Sequence, residues 1–245
     1  MTFELYLLAA FILFFAAYTK GVTGFGSSLI AIPLLAAFVL VPEDARALVV
    51  TVNLILNIFI LASAKKLSFK ALKPFWVLIV TVFVSSILSG FLLPRFDSTL
   101  FNIVLGVLLI LTALNNLFNV RFRIEHPKRY FIPIGILGGT LNTLIGAGSV
   151  PVLIFLANTN LKKADFRISI LLFLLILNSG SLISFVINAN YSWNIAYQAL
   201  LFMPVVLIGS FLGIRSQNVF NEVTFQRIIA VLLLVMGING IFNIF

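Results

Sequence analysis

The stretch KGVTGFGSSLIAIP, residues 20–33, decides the fold, because it places a lysine and three glycines between two apolar segments. A membrane hairpin would need only a turn at this point. The stretch therefore leaves two alternatives. It is either a loop between two spans or a helix that is broken inside the membrane and carries a binding site.

The composition indicates an integral membrane protein. Of the 245 residues, 62% are hydrophobic and 9% are charged, and the mean hydropathy is +1.19. Soluble domains have about 25% charged residues. Apolar runs of 15 to 24 residues recur along the whole chain, as in polytopic helical membrane proteins. We predict an all-α polytopic fold in one membrane transporter domain, residues 1–245.

The net charge of +9 comes from short loops and not from a basic face. Two loops hold half of the cations: Lys65, Lys66, Lys70 and Lys73 in one, and Arg121, Arg123, Lys128 and Arg129 in the other. This distribution follows the positive-inside rule for cytoplasmic loops. Nucleic acid is therefore excluded as an expected partner, since it requires an exposed basic surface.

Cysteine is absent and histidine occurs once, which limits metal and catalytic chemistry. Disulfides and thiolate metal sites are excluded. His126, in the basic loop, is expected to be a solvated loop residue. We expect no metal and no cofactor. The N-terminal segment carries Glu4 and no cation, so we predict that it is the first membrane segment and not a cleavable signal.

Polar and glycine landmarks recur at a spacing of 121 to 124 residues, which indicates an internal duplication. The matches are Gly24, Gly26 and Ser27 with Gly146, Gly148 and Ser149; Asp44, Arg46 and Asn57 with Asp165, Arg167 and Asn178; and Ser86, Phe96, Phe101 and Asn115 with Ser210, Phe220, Phe225 and Asn239. We predict repeat one at residues 1–120, a cytoplasmic linker at 121–129, and repeat two at 130–245.

Each repeat is predicted to contain a glycine-broken helix pair and three transmembrane helices. The predicted segments are 3–19, 25–41, 45–64, 73–94 and 99–120, then 130–143, 148–159, 165–188, 195–214 and 223–244. Segments 130–143 and 148–159 would each be about 20 Å long, short of a hydrocarbon core of about 30 Å. Helices that break or turn back inside the membrane are therefore favoured.

Equivalent loops of the two repeats differ in charge, which predicts opposite orientations. Loop 65–73 has four lysines and its counterpart 188–194 has no charge, while loop 42–46 is net negative and its counterpart 161–167 is net positive. Loops 65–73, 121–129 and 161–167 are therefore expected in the cytoplasm. The repeats are predicted to have inverted topology, as in many secondary transporters.

The glycine-rich breaks are predicted to bind an anion. A helix start offers unpaired N–H groups and about half a positive charge, and glycines allow close approach to the backbone. The alternative is that these glycines serve only close packing or tight turns. The predicted substrate-binding residues are Lys20, Thr23, Gly24, Gly26, Ser27, Asn57, Gly146, Gly148, Ser149 and Asn178. The alternative role of Asn57 and Asn178 is to brace the broken segments. The alternative for Lys20 is that its side chain snorkels from a helix end.

Two arginines beside acidic neighbours, Arg46 and Arg167, are predicted as interfacial anchors or gate residues and not as direct ligands.

All seven acidic residues lie near segment ends, so a membrane-buried proton-relay carboxylate is not expected. A Walker motif is also absent. The membrane potential alone would drive anion export by about 2.3 kcal/mol per charge at 100 mV.

Two segments, KGVTGFGSSLIAIPLLAAFVLVPEDAR (20–46) and GGTLNTLIGAGSVPVLIFLANTNLKKADFRIS (138–169), resemble the paired signatures of the sulfite exporter TauE/SafE family. The resemblance covers nearly the whole chain. It implies a permease of the bacterial inner membrane for sulfite, organosulfonates or related anions. One departure concerns the substrate: residues 148–151 are GSVP, where many relatives have GGPP.

We therefore expect a multi-pass inner-membrane secondary transporter or facilitator for a small, sulfur-containing anion, and not an enzyme. Its expected partners are that anion and the lipid bilayer, with a homo-oligomer left open. The alternatives are a permease for another organic anion, a channel for a neutral or cationic solute, an intramembrane enzyme, and a structural membrane subunit. An enzyme would need a constellation of His, Asp, Glu or Cys residues.

Overall fold

The computed structural model describes residues 2–62, 73–118, 124, 126–159, 163–216 and 222–242, and within these the side chains of all but 116, 163–165, 167 and 222–226. The predictions made on loops 65–73, 121–129 and 161–167 and on the Arg167 side chain lie wholly or partly outside the described residues.

Every regular element in these ranges is helical. The helices of the first half are α1 (Phe3–Thr23), α2 (Ser27–Phe38), α3 (Pro42–Ala62), α4 (Trp76–Leu88) and α5 (Ser98–Phe118). Those of the second half are α6 (Phe131–Ile145), α7 (Ser149–Ala157), α8 (Lys163–Ile187), α9 (Trp193–Ser216) and α10 (Glu222–Phe242). Short 3₁₀ helices at Ser89–Arg95 and Pro127–Tyr130 follow α4 and precede α6.

Among the described residues, six segments are long and apolar enough to cross a membrane. They include α1, α3, α8 and α9, together with Lys73–Arg95 and Ser98–Asn115. Large apolar side chains also cover the outer surface: Trp193 is 91% exposed and Phe11 is 68% exposed. Such a surface is favourable in lipid and unfavourable in water, so the chain is a multi-pass membrane protein.

The first broken pair differs from the prediction in its first member. α1 continues past residue 19 to Thr23, so Lys20 lies inside the helix, and with 21 residues the helix is long enough to span. Gly21 does not end it because the helix packs closely there on α9: a Cβ on Gly21 would lie 2.9 Å from the Cα of Gly213. Tertiary packing thus overrides the low helix propensity of glycine.

The second broken pair is short, as the sequence predicted. α6 has 15 residues and α7 has nine, which correspond to about 22 Å and about 14 Å. α2, the second member of the first pair, has 12 residues, about 18 Å. None of these three helices crosses a hydrocarbon core of about 30 Å by itself.

The two halves of the chain interlock. The helix α1 packs along α9, and α4 packs along α6, so the fourth helix of each half lies on the first helix of the other half. The pairs α3–α8 and α5–α10 also join the halves. Glycines permit the closest approaches, as where Gly106 of α5 faces Gly237 of α10.

The interlocked helices enclose two apolar cores. One core contains Leu13, Leu48 and Val206 of α1, α3 and α9, and the other contains Leu78, Phe131 and Leu177 of α4, α6 and α8. Both broken helix pairs pack into these cores. The unwound residues 146–148 are buried, and residues 24–26 are half-buried beside a cavity. Irregular backbone is tolerated in a membrane where it is buried in protein or lines a cavity.

Candidate functional site

The first break, residues 24–26, connects α1 to α2 through two left-handed glycines. Gly24 (φ 87°) ends α1, with its N–H donating to the carbonyl of Lys20 at 2.7 Å, and Gly26 (φ 85°) precedes the first turn of α2. These φ values favour glycine. A Cβ on Gly26 would meet no atom within 4 Å, so the backbone here faces open space.

The side chain of Lys20 reaches Asn53 of α3, which also contacts the start of α2. Nζ donates to Oδ1 of Asn53 at 2.9 Å, and the hydroxyl of Ser27 donates to the same oxygen at 2.7 Å. Nδ2 of Asn53 donates to Oγ of Ser28 at 3.0 Å. Residues 20, 27, 28 and 53 form what we call the lysine cluster. It joins α1, α2 and α3 at the first break.

The ammonium of Lys20 is buried without a counter-charge. The residue is 2% exposed. The one ion pair among the described side chains joins Arg46 to Glu43, at 3.3 Å. A buried cation with only neutral partners is costly. The snorkelling alternative for Lys20 is not what the structure shows, because the side chain turns into the protein.

Two small cavities flank the first break. One, of about 10 Å³, is lined by Ser27 and Asn53 together with apolar residues of α1, α3 and α9. The other, of about 30 Å³, is lined by Thr23, Gly26 and apolar residues that include Ile229 of α10. They have room for about one and about two water molecules, respectively. The polar start of α2 thus separates two voids.

Thr23 shapes the break. Its hydroxyl lies 2.9 Å from the carbonyl oxygen of Thr19 and 2.7 Å from that of Phe25, and it accepts the N–H of Phe25 at 3.3 Å. Such local side-chain bonds hold a turn. In this conformation the predicted ligand Thr23 supports the loop between the two helices.

The second break, residues 146–148, is closed by packing. Gly146 ends α6 with φ 69°, and a Cβ there would overlap the side chain of Ile32 on α2. Gly148 has an ordinary φ of −64°, and a Cβ there would overlap the carbonyl of Gly138. Ser149, the first residue of α7, is 8% exposed. The contact between the two broken pairs is therefore apolar.

Asn142 occupies in α6 the place that Lys20 occupies in α1. Each residue lies four positions before the glycine that ends its helix, and each accepts that glycine's N–H. Nδ2 of Asn142 donates to Oγ of Ser181 at 2.8 Å and to Oδ1 of Asn178 at 3.4 Å. The second break thus has a neutral amide where the first has an ammonium.

The two predicted asparagines have different environments. Asn178 of α8 accepts from Asn142, which agrees with its alternative role in bracing the break. Asn57 of α3 is 0% exposed, and neither its Nδ2 nor its Oδ1 has a partner among the described atoms. A buried amide with both groups free is rare in folded proteins. Asn57 lies one turn beyond Asn53, on the same face of α3.

Arg46 joins the start of α3 to the end of α6. Its guanidinium donates to the carbonyl oxygen of Leu144 and to Oε1 of Glu43 at 3.3 Å, and it lies 5.2 Å from the ring centre of Phe101 on α5. The carbonyls of a last helical turn attract cations. This position fits the predicted anchor or gate role. The Arg167 side chain lies outside the described residues.

The structure brings some of the predicted residues together and adds others. Lys20 and Ser27 share one acceptor, with Gly24, Gly26 and Thr23 in the adjoining turn. Asn53 and Asn142 were missed by the sequence analysis. Their signal was their position: Asn142 precedes Gly146 by four residues, as Lys20 precedes Gly24, and Asn53 precedes Asn57 by one helical turn. No group of three or more His, Asp or Glu side chains occurs in the described part of the chain.

Comparison with known proteins gives one result. A family model described as Sulfite exporter TauE/SafE matches residues 9–240, nearly the whole chain. No individual curated protein and no solved structure is significantly similar to it.

Proposed function

Because the chain belongs to the sulfite exporter TauE/SafE family, we propose that it is a secondary transporter or facilitator. It carries sulfite, or an organosulfonate of similar charge, across the bacterial inner membrane and binds it at the first break. The multi-pass fold and the family support transport of a sulfur-containing anion. The sequence supports a carrier that does not use ATP, since it has no Walker motif.

The observation that carries this proposal is the buried amino group of Lys20, which donates to the neutral amide of Asn53 and has no carboxylate partner among the described side chains. An anion bound between Lys20 and the first turn of α2 would neutralise the charge and accept from the free N–H groups of the helix start. The hydroxyls of Ser27 and Ser28 would donate to its oxygens. Gly26, on the side of the larger cavity, leaves the backbone open there to a ligand that enters from that side.

We also propose that the two halves are inverted repeats that rock against each other. The reciprocal packing of α1 on α9 and of α4 on α6 supports this relation, since each pair would map onto the other under a two-fold exchange of the halves. The cavity lined by Ser27 and Asn53 has room for about one water molecule, which is less than a sulfur oxyanion needs. Binding would therefore require the surrounding helices to separate, as in alternating access.

The test is uptake of sulfite into proteoliposomes by two purified variants. We expect Lys20→Asn to weaken anion binding by at least about tenfold, because a charge pair at 4 Å is worth about 4 kcal/mol near a protein surface and desolvation of the two ions offsets part of that energy. Asparagine is the residue that the chain itself has at the equivalent position 142, so the substitution has a native precedent for folding. Lys128→Asn removes an exposed cation outside the site and is the charge-matched control.

The wild-type protein and Lys128→Asn should transport sulfite at similar rates. If a folded Lys20→Asn variant binds and transports sulfite as well as the wild-type protein, Lys20 is not part of the binding site. The family assignment would then be the only support for the substrate class.

A further inference from the structure

We infer that the lysine cluster selects anions that carry a single negative charge. The inference rests on the proposed function, since it concerns the same site. It adds a rule for which substrates the site accepts: sulfonates and hydrogensulfite bind, while sulfate, thiosulfate and fully ionised sulfite are disfavoured.

The charge balance around Lys20 depends on the helices that pack at the first break. Helix α2, against which the ammonium lies, has no charged residue. The other charged residues on α1, α3 and α9 are Glu4 at the opposite end of α1, Glu43, Asp44 and Arg46 at the start of α3, and Arg215, whose exposed guanidinium lies 5.0 Å from the ring centre of Phe211. Helix α10, whose Ile229 lines the cavity beside Gly26, carries Arg227, and that side chain is exposed. Among the described side chains, Lys20 is therefore the one buried cationic residue at the first break.

A mismatch between the charge of the ligand and the charge of the site is costly. A monoanion beside Lys20 leaves the buried site neutral. A dianion would leave one negative charge unbalanced among the apolar side chains that line the adjoining cavity, such as Leu13, Val52 and Leu56. Burial of an unpaired charge is strongly unfavourable. The dipole of the α2 start, about half a charge, offsets only part of this cost.

The hydrogen-bond donors of the lysine cluster converge on one point. Nζ of Lys20 and the hydroxyl of Ser27 both donate to one oxygen, Oδ1 of Asn53. Two donors that converge on one acceptor match the oxygen of an oxyanion, which can take the place of Oδ1. Asn57, one turn further along α3, has an unbonded amide nitrogen that can donate to a second oxygen of the same ligand.

The experiment compares probes of similar shape and fixed charge with the wild-type protein in proteoliposomes. Methanesulfonate and sulfate are both tetrahedral at sulfur and differ by a methyl group in place of an ionised oxygen. We expect methanesulfonate to be transported, and to compete with sulfite, at least about tenfold better than sulfate. Thiosulfate, a second dianion, should behave like sulfate.

The outcomes separate the two proposals. Transport of sulfite together with equal or better transport of sulfate would overturn the charge rule and leave the transport function intact. Failure of every probe, sulfite included, would overturn both. Lys20→Asn provides an independent check, because loss of the cation costs a dianion more than a monoanion: both affinities should fall, and the ratio of methanesulfonate to sulfate affinity should rise. An unchanged ratio in a folded Lys20→Asn protein would show that another group sets the selectivity.

Discussion

The side-chain amide of Asn142 donates to Oδ1 of Asn178 across 3.4 Å. Asn57, at the position of α3 that corresponds to Asn178 in α8, has no partner for either amide atom among the described residues. The same residue type at equivalent places thus braces the helix break in one half and remains unbonded in the other.

Replacement of these two asparagines by leucine should have opposite effects on stability. Asn57→Leu removes two unsatisfied buried groups and keeps the branched shape and number of heavy atoms, so the free energy of unfolding should stay unchanged or rise. Asn178→Leu leaves a donor of Asn142 without that acceptor and should cost about 1–3 kcal/mol. Thermal unfolding in detergent measures both effects.

The transport rates of the same two variants complete the test. Asn57→Leu should bind the anion more weakly despite its stability, because its unbonded amide would contact the ligand. A stable Asn57→Leu protein with normal affinity and flux would show that this amide has no part in binding.

The glycines of the two breaks should also respond differently to a side chain. In Gly26→Asn, the new asparagine tolerates the left-handed backbone conformation, and its side chain would extend into open space. We expect a folded protein with reduced transport. Gly148→Val should instead disrupt the contact with Gly138 and lower the unfolding temperature. Any loss of transport in this variant would then result from disturbed packing.

Folding and flux must both be measured for each variant. Normal transport by a folded Gly26→Asn protein would contradict close approach of the anion to the first break. A Gly148→Val protein that is stable but inactive would indicate that the anion approaches the second break instead.

The sequence predicts the helices and the breaks well, because both depend on local chemistry. Apolar runs give the spans, and glycines followed by serine mark the ends of α1 and α6 and the starts of α2 and α7. Lys20 was less predictable. Its inclusion in α1 depends on the packing of Gly21 against Gly213 of α9, a contact between residues that are far apart in the chain.

The asymmetry of the two breaks was not visible in the sequence either. Gly26 and Gly148 occupy equivalent positions, yet one faces a void and the other faces the carbonyl of Gly138. The partner that decides this difference comes from tertiary packing. Asn53, the acceptor shared by Lys20 and Ser27, was missed for the same reason.

Arg46 should contribute more to stability than its acidic neighbour. Arg46→Gln removes the hydrogen bond to Leu144 and the contact with the ring of Phe101, and it should cost about 2–3 kcal/mol. Glu43→Gln removes only an ion pair whose carboxylate side is 44% exposed, and it should cost less than about 1 kcal/mol. Equal unfolding temperatures of the two variants would show that the link between α3 and α6 does not hold the break.

The topology of the chain can be tested with single cysteines, since none occurs natively. The charge distribution places loop 65–73 in the cytoplasm and loop 188–194 in the periplasm. An impermeant thiol reagent added to intact cells should therefore label Ser192→Cys, an exposed position, and spare Ser68→Cys. The reverse pattern would contradict the proposed orientation, and labelling of both would contradict the inverted repeat.

Transport should not require a proton gradient. The acidic residues lie near segment ends in the sequence, so a carboxylate relay within the membrane is not expected. For a singly charged substrate, the potential alone supplies about 2.3 kcal/mol per 100 mV. Proteoliposomes loaded with methanesulfonate, which stays ionised throughout the neutral range, should show flux under an imposed potential at equal pH on both sides. Flux under a pH gradient alone, with none under the potential, would show that proton coupling drives the carrier.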